Sequence, residues 1–140
     1  MVKLTKRLLQ KIAEDRIADA QVLYANRRYS AAYYMAGYSI ECSLKVLIAK
    51  QTQRHDFPDK KSATDAYTHE ITKLVSLAQL QIELQEQIKS DSAFAVNWSI
   101  VKDWSEQSRY QTASKLAAKD MIEAISDESS GVLAWIKSKW

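Results

Sequence analysis

The stretch from Ala31 to Gln51, AAYYMAGYSIECSLKVLIAKQ, decides the fold. Wound at 3.6 residues per turn, it is apolar nearly all round: Tyr34, Met35, Tyr38, Ile40, Cys42, Leu44, Val46, Leu47 and Ile48 point to every side. A helix apolar on all sides is covered by neighbours and sits at the centre of a domain. The two charges within its apolar run, Ala31 to Ala49, are Glu41 and Lys45, one turn apart, so they share a face. They also make the stretch too polar for a membrane span. Gly37 in the interior costs about 1 kcal/mol of helix propensity. Such a glycine is expected where another backbone comes close.

The flanking sequence supplies the covering helices. Before the central helix, Leu9, Ala13, Ile17, Ala20 and Tyr24 recur at steps of three and four, which predicts a helix over Leu4–Asn26. Arg27-Arg28-Tyr29 breaks it, and Ser30 is the expected N-cap of the next helix. Residues 52 to 66, with Pro58, read as the main loop. Thr68 is the expected N-cap of a third helix, with Glu70 in its first turn. Ile71, Leu74, Val75 and Ala78 form that helix's inner face. Leu84 and Ile88 mark a short fourth segment, and Trp98 and Val101 point inward from another at Phe94–Trp104. Residues 105 to 112 read as a turn. A last helix is predicted over Ala113–Lys139 along Leu116, Met121, Ala124, Ile125, Leu133 and Ile136. Ser129-Ser130-Gly131 would kink or interrupt it. The expectation is an all-α, up-down bundle of four to five helices forming a single domain over residues 1–140.

Composition agrees. The 140 residues include only 2 Gly and 1 Pro, too few for the many turns of a sheet protein. Hydrophobic residues at 46% and charged residues at 26% are ordinary for a globular chain and exclude disorder. The net charge of +3 is too mild to mark a nucleic-acid binder by itself. The lone Cys42 rules out an internal disulfide framework and fits a reducing, cytoplasmic setting. MVKLTKRLLQKIAEDR at the N-terminus lacks the apolar core of a signal peptide, and no membrane attachment is expected.

A search for chemistry finds fragments. His55, His69 and Cys42 have no further ligand at metal-site spacing, so no metal is expected. Two separated glycines exclude phosphate-binding and dinucleotide loops, and no cofactor is expected. Cys42 falls within the central helix and is expected to pack. His69 is either a helix-start residue or a general base. Glu41 must be satisfied inside a bundle, as a structural bridge to Lys45 or as part of a polar site. Tyr29, Tyr33, Tyr34 and Tyr38, with Trp98 and Trp104, belong to core, interface or a base-stacking surface. The basic residues Lys3, Lys6, Arg7 and Lys11, Arg27 and Arg28, and Arg54, His55, Lys60 and Lys61 are read mostly as solvated surface.

Three segments together carry a resemblance. Arg28–Lys50, with Glu41, Leu44 and Lys45, resembles the second helix of HEPN domains (higher eukaryotes and prokaryotes nucleotide-binding). Thr68–Leu74, THEITKL, resembles the Thr-His-Asp-Leu start of their third helix, with Glu70 for Asp and Ile71 for Leu. Trp104–Tyr110, WSEQSRY, resembles the Trp…Arg-Tyr segment before their last helix. The resemblance covers roughly residues 5 to 128. It implies a helical bundle that forms homodimers, in prokaryotic toxin–antitoxin or defence systems, often beside a minimal nucleotidyltransferase. It also implies metal-independent ribonuclease chemistry from an Arg, an apolar or aromatic residue, four to six others and then His. Arg109-Tyr110 starts that pattern, but positions 115 to 117 are Lys115, Leu116 and Ala117. The ribonuclease histidine is therefore missing.

The leading expectation is a non-catalytic module that binds a nucleotide, RNA or a protein partner in a cleft. Glu41, Lys45, His69, Trp104, Arg109 and Tyr110 would line it. One alternative is a divergent ribonuclease using His69, Arg109 and Lys115. Another is an unrelated helical interaction protein in which residues 41, 69 and 109 never converge.

Overall fold

The computed structural model describes residues 3–54 and 67–140. His55, Pro58, Lys60 and Lys61 lie outside them. The first helix, α1, spans Lys6–Ala25 and the second, α2, Tyr29–Arg54. Thr5 starts α1: its hydroxyl accepts the Leu8 N–H at 3.1 Å, satisfying one of the orphan donors of the first turn. The chain reverses at Arg27, whose φ of 63° lies in the left-handed region, and the Arg28 N–H reaches back to the Leu23 carbonyl at 2.8 Å. That tight connection lays α1 alongside α2. Leu9, Ala13 and Ala20 are the buried positions of α1, and the two alanines let the helices approach closely.

Helix α2 is covered as its composition requires. Ala32, Ala36, Ile40, Leu44 and Leu47 join the main core, and Ser39, Cys42, Ser43 and Val46 are buried as well. The Ser43 hydroxyl donates to the Ile40 carbonyl at 2.8 Å, so this buried polar group has a partner inside its own helix. Ser30 does not cap α2, which begins one residue earlier. Its hydroxyl instead accepts the Ala113 N–H at 2.9 Å and ties the start of α2 to a distant segment.

Among the described residues five shorter helices follow: α3 (Ile71–Leu77), α4 (Gln81–Ser90), α5 (Ser92–Val101), α6 (Lys115–Ser126) and α7 (Val132–Lys137). A 3₁₀ turn, Glu106–Tyr110, sits between α5 and α6. Together they make an all-α fold, with no strand among the described residues. Asp91 and Ser114 cap α5 and α6, accepting the Phe94 and Ala117 N–H groups, each at 3.0 Å. Thr68 serves the entry to α3 rather than capping it. Its hydroxyl accepts the Glu70 N–H at 3.3 Å, and Glu70 occupies the cap position without a side-chain cap bond.

The predicted closing helix is two helices. Asp127 Oδ1 accepts the N–H groups of Ser129 and Ser130 at 2.8 and 2.9 Å, which ends α6. Those bonds hold the Asp127 carboxyl below its usual range. A Cβ on Gly131 would strike the Asp127 carbonyl, so glycine permits the tight reversal. The break is fastened to α5: Ser130 donates to Asp91 Oδ2 at 2.9 Å, and Asn97 donates to the Ser130 carbonyl at 3.0 Å. Leu116, expected on the inner face, is 65% exposed. It precedes Ala118 by two residues, about 200° round the helix, and Ala118, Met121, Ile122 and Ile125 face the core instead.

The C-terminal segment clasps the central helix. The Trp140 indole N–H donates to the Ser43 carbonyl and Lys50 donates to the Lys139 carbonyl, both at 3.2 Å. Among the described residues no helix is long and apolar enough to cross a membrane.

Candidate functional site

Glu41 lies midway along α2 and is 1% exposed. A carboxylate in that position is tolerable only with partners, because an unpaired buried charge costs several kcal/mol. It has two. Oε2 accepts from Lys45 Nζ at 3.3 Å, the contact that one helical turn of separation provides. Oε1 lies 2.8 Å from His69 Nδ1. His69 stands just before α3, and the burial of Ile71 and Leu74 in the core carries it to α2.

The other ring nitrogen, His69 Nε2, lies 3.3 Å from Glu106 Oε2 in the 3₁₀ turn. Four residues from three segments thus form one chain of contacts: Lys45, Glu41, His69, Glu106. Its buried point is Glu41, whose side chain is 2% exposed, while those of Lys45, His69 and Glu106 are 17%, 42% and 35% exposed. The sequence reading did not single out Glu106. Its one signal was its place in WSEQSRY, three residues before Arg109.

The surroundings of Glu41 are dry enough to shift neighbouring groups. Burial, reinforced by the Glu41 charge, pushes the Cys42 thiol up to about 11. Burial, with Cys42 and Glu41 nearby, pushes the Tyr38 hydroxyl up to about 12. Cys42 is therefore a neutral thiol at physiological pH and a poor nucleophile.

Arg109 and Tyr110 close the turn that Glu106 opens. Both are exposed, and the guanidinium lies 4.8 Å over the Tyr110 ring. Tyr110 and, more weakly, Glu106 raise the proton affinity of Arg109 further. Among the described residues no hydrogen bond or ion pair joins Arg109 to His69. Trp104 is 2% exposed, packed on Gly37 with its ring 5.6 Å from that of Tyr34. It supports the turn from beneath and does not line an open surface. The partner of Gly37 is this side chain, not the backbone that the sequence suggested. Lys115 is exposed at the start of α6.

One groove adjoins the cluster and another the 3₁₀ turn. The first, of about 500 Å³, has Lys45 in its wall with Lys6, Ile48 and Tyr67. The other, of about 370 Å³, runs past Ser108 of the turn along Tyr33, Thr112 and Ala113. Among the described residues no group of three His, Cys, Asp or Glu side chains is placed to hold a metal.

The three segments that carry the resemblance therefore meet in space. The HEPN domain model matches residues 6–139, nearly the whole chain. The chain belongs to the HEPN domain family. No curated protein and no solved structure matches it. Membership removes the reading of an unrelated helical protein whose motifs agree by chance. Within this HEPN domain, Arg109-Tyr110 stands on an exposed turn. The stretch where the family's histidine would follow holds Lys115, Leu116 and Ala117 at the start of α6.

Proposed function

We propose that this HEPN domain is a non-catalytic binding module that takes RNA or a nucleotide on the face carrying Arg109 and Tyr110. The occupancy of His69 carries the reading. Metal-free cleavage of RNA needs a group to accept the 2′-hydroxyl proton. His69 is the one histidine among the described residues, and each of its nitrogens already faces a carboxylate, Glu41 at 2.8 Å and Glu106 at 3.3 Å. Arg109, by contrast, is presented outward. Its planar fork suits phosphate, and the Tyr110 ring beside it suits a base.

The module is proposed to work as a homodimer. Leu116, 65% exposed near the start of α6, is apolar area that a second copy would cover. A toxin–antitoxin or defence role, with a minimal nucleotidyltransferase as protein partner, extends the proposal along the family resemblance.

The nuclease alternative keeps one supporting observation. Glu41 holds His69 by Nδ1, the way an orienting carboxylate holds a catalytic base. It requires Glu106 to leave Nε2. The deciding test pairs RNA-binding anisotropy with a cleavage assay, with and without EDTA, on wild type, Arg109→Ala and His69→Ala. The proposal expects binding that falls in Arg109→Ala and intact RNA throughout. EDTA-resistant cleavage abolished by His69→Ala would replace it with the nuclease.

A further inference from the structure

We infer that His69 is a protonation-dependent latch that fastens the Arg109-bearing turn to α2. Its effect on ligand binding rests on the function proposed above, whereas the latch itself does not.

The argument is an inventory of donors and acceptors. Carboxylates only accept. A neutral imidazole carries one N–H and the imidazolium carries two. His69 faces Glu41 Oε1 through Nδ1 and Glu106 Oε2 through Nε2. Both contacts are hydrogen-bonded only when the ring is charged. On losing its proton His69 can donate to one carboxylate, and the other contact sets a lone pair against an anion.

Burial decides which contact survives. Glu41 is sealed in the core, and leaving it short of a donor costs far more than releasing a surface group. Glu106 is about one-third exposed and can turn to water. The neutral ring therefore keeps Glu41 and lets Glu106 go. The charged and titratable groups around this point come from several elements. From α2 come Glu41 and Lys45, with Tyr38 and Cys42 beside Glu41. From α1, Arg16 acts on Cys42. From the turn come Glu106 and, acting on Glu106, Arg109. Glu70 adjoins His69 in its own segment and is exposed.

Release matters because of where Glu106 stands. It is the first residue of the 3₁₀ turn, and Arg109 and Tyr110 are the last two. With Glu106 free, the turn keeps its apolar support from Trp104 but loses its ion pair to the rest of the domain. The Arg109-Tyr110 face is then held firmly when His69 is charged and loosely when it is neutral.

The turn supplies its own reporters. The Ser108 N–H is bonded to the Ser105 carbonyl at 3.0 Å and the Gln111 N–H to the Ser108 carbonyl at 3.2 Å. Side-chain NMR of the histidines, assigned with His69→Gln, gives the pH span in which His69 loses its proton. Amide protection factors at Ser108 and Gln111 are measured across that span in wild type and in Glu106→Ala. The latch predicts a several-fold fall in wild type and low, pH-independent protection in Glu106→Ala. Protection that stays flat in wild type, or falls equally in Glu106→Ala, overturns it. Affinity for a fluorescent oligoribonucleotide is followed over the same pH range, and the two ideas separate there. Flat protection with Arg109-dependent binding discards the latch and keeps the binding face. A pH-dependent turn with no RNA or nucleotide binding does the reverse.

Discussion

The place where Gly37 would carry a Cβ is occupied by the indole of Trp104, whose Cγ, Cδ1 and Nε1 all crowd it. Its buried Nε1–H finds no acceptor among the described residues.

Gly37→Ala sets two effects against each other. Alanine gains about 1 kcal/mol of helix propensity, but the rigid indole must move from a filled core. Overpacking wins, and urea denaturation should show stability lower by about 1–2 kcal/mol. Because Trp104 leads into the 3₁₀ turn, the turn's amide shifts should move as well. A more stable Gly37→Ala variant would mean that the ring relocates freely.

Glu41 is the most consequential polar residue. Glu41→Ala leaves Lys45 and His69 facing a gap, and thermal and chemical denaturation should show a loss of about 3–5 kcal/mol. Glu41→Gln keeps an acceptor for His69 but removes the counter-ion of Lys45, whose side chain is 17% exposed and can reach water. Its expected cost is smaller, about 1–3 kcal/mol. Equal costs would show that packing rather than charge sets the value of the site.

Arg109→Ala should behave in the opposite way. The side chain is exposed and rests on Tyr110, so the melting temperature should not move. RNA or nucleotide affinity should fall by roughly tenfold, the loss of about 1.4 kcal/mol expected for one charge-assisted contact. A variant that melts early, or that binds normally, contradicts the proposed face.

Cys42 gives a pH dependence with a definite sign. Its thiol is raised from 9.0 to about 11 in the folded chain, so the native state holds that proton more tightly than the unfolded state does. The contribution is fully present below pH 9 and is lost as pH rises towards 11. Tyr38, raised from 10.0 to about 12, adds a loss of the same sign at higher pH. Stability measured from pH 8 upward should fall less steeply in Cys42→Ala than in wild type. The native thiol should also resist a disulfide reagent until the protein unfolds.

Much of this arrangement was legible beforehand because it follows from local rules. The α1–α2 hairpin is visible in residue spacing. The centrality of α2 follows from its lack of a polar face, and the pairing of Glu41 with Lys45 from one turn of separation. That His69 would join them rested on the family resemblance alone. What was missed depends on contacts between distant segments. Ser30 looks like a cap in its own context and is taken by Ala113, 83 residues away. Glu106 looks like any solvated acid until α3 brings His69 against it. Trp104 reads as a cleft residue from its motif, and only the bare backbone at Gly37 shows where the ring fits. Leu116 belongs to the expected helix but stands about 200° round it from Ala118, so the inner face runs through Ala118, Met121 and Ile125 instead.

The clasp between Trp140 and Ser43 joins residues 97 positions apart. The hairpin of α1 and α2 needs a loop of only a few residues, so its closure costs little chain entropy and it can form first. The core face of α2 then stays bare until α6 and α7 arrive from the far end of the sequence. The central helix is therefore closed over by segments that lie far along the sequence from it. Removing Trp140 would open that cover at the point where the two ends of the connection meet, on the Ser43 carbonyl of α2.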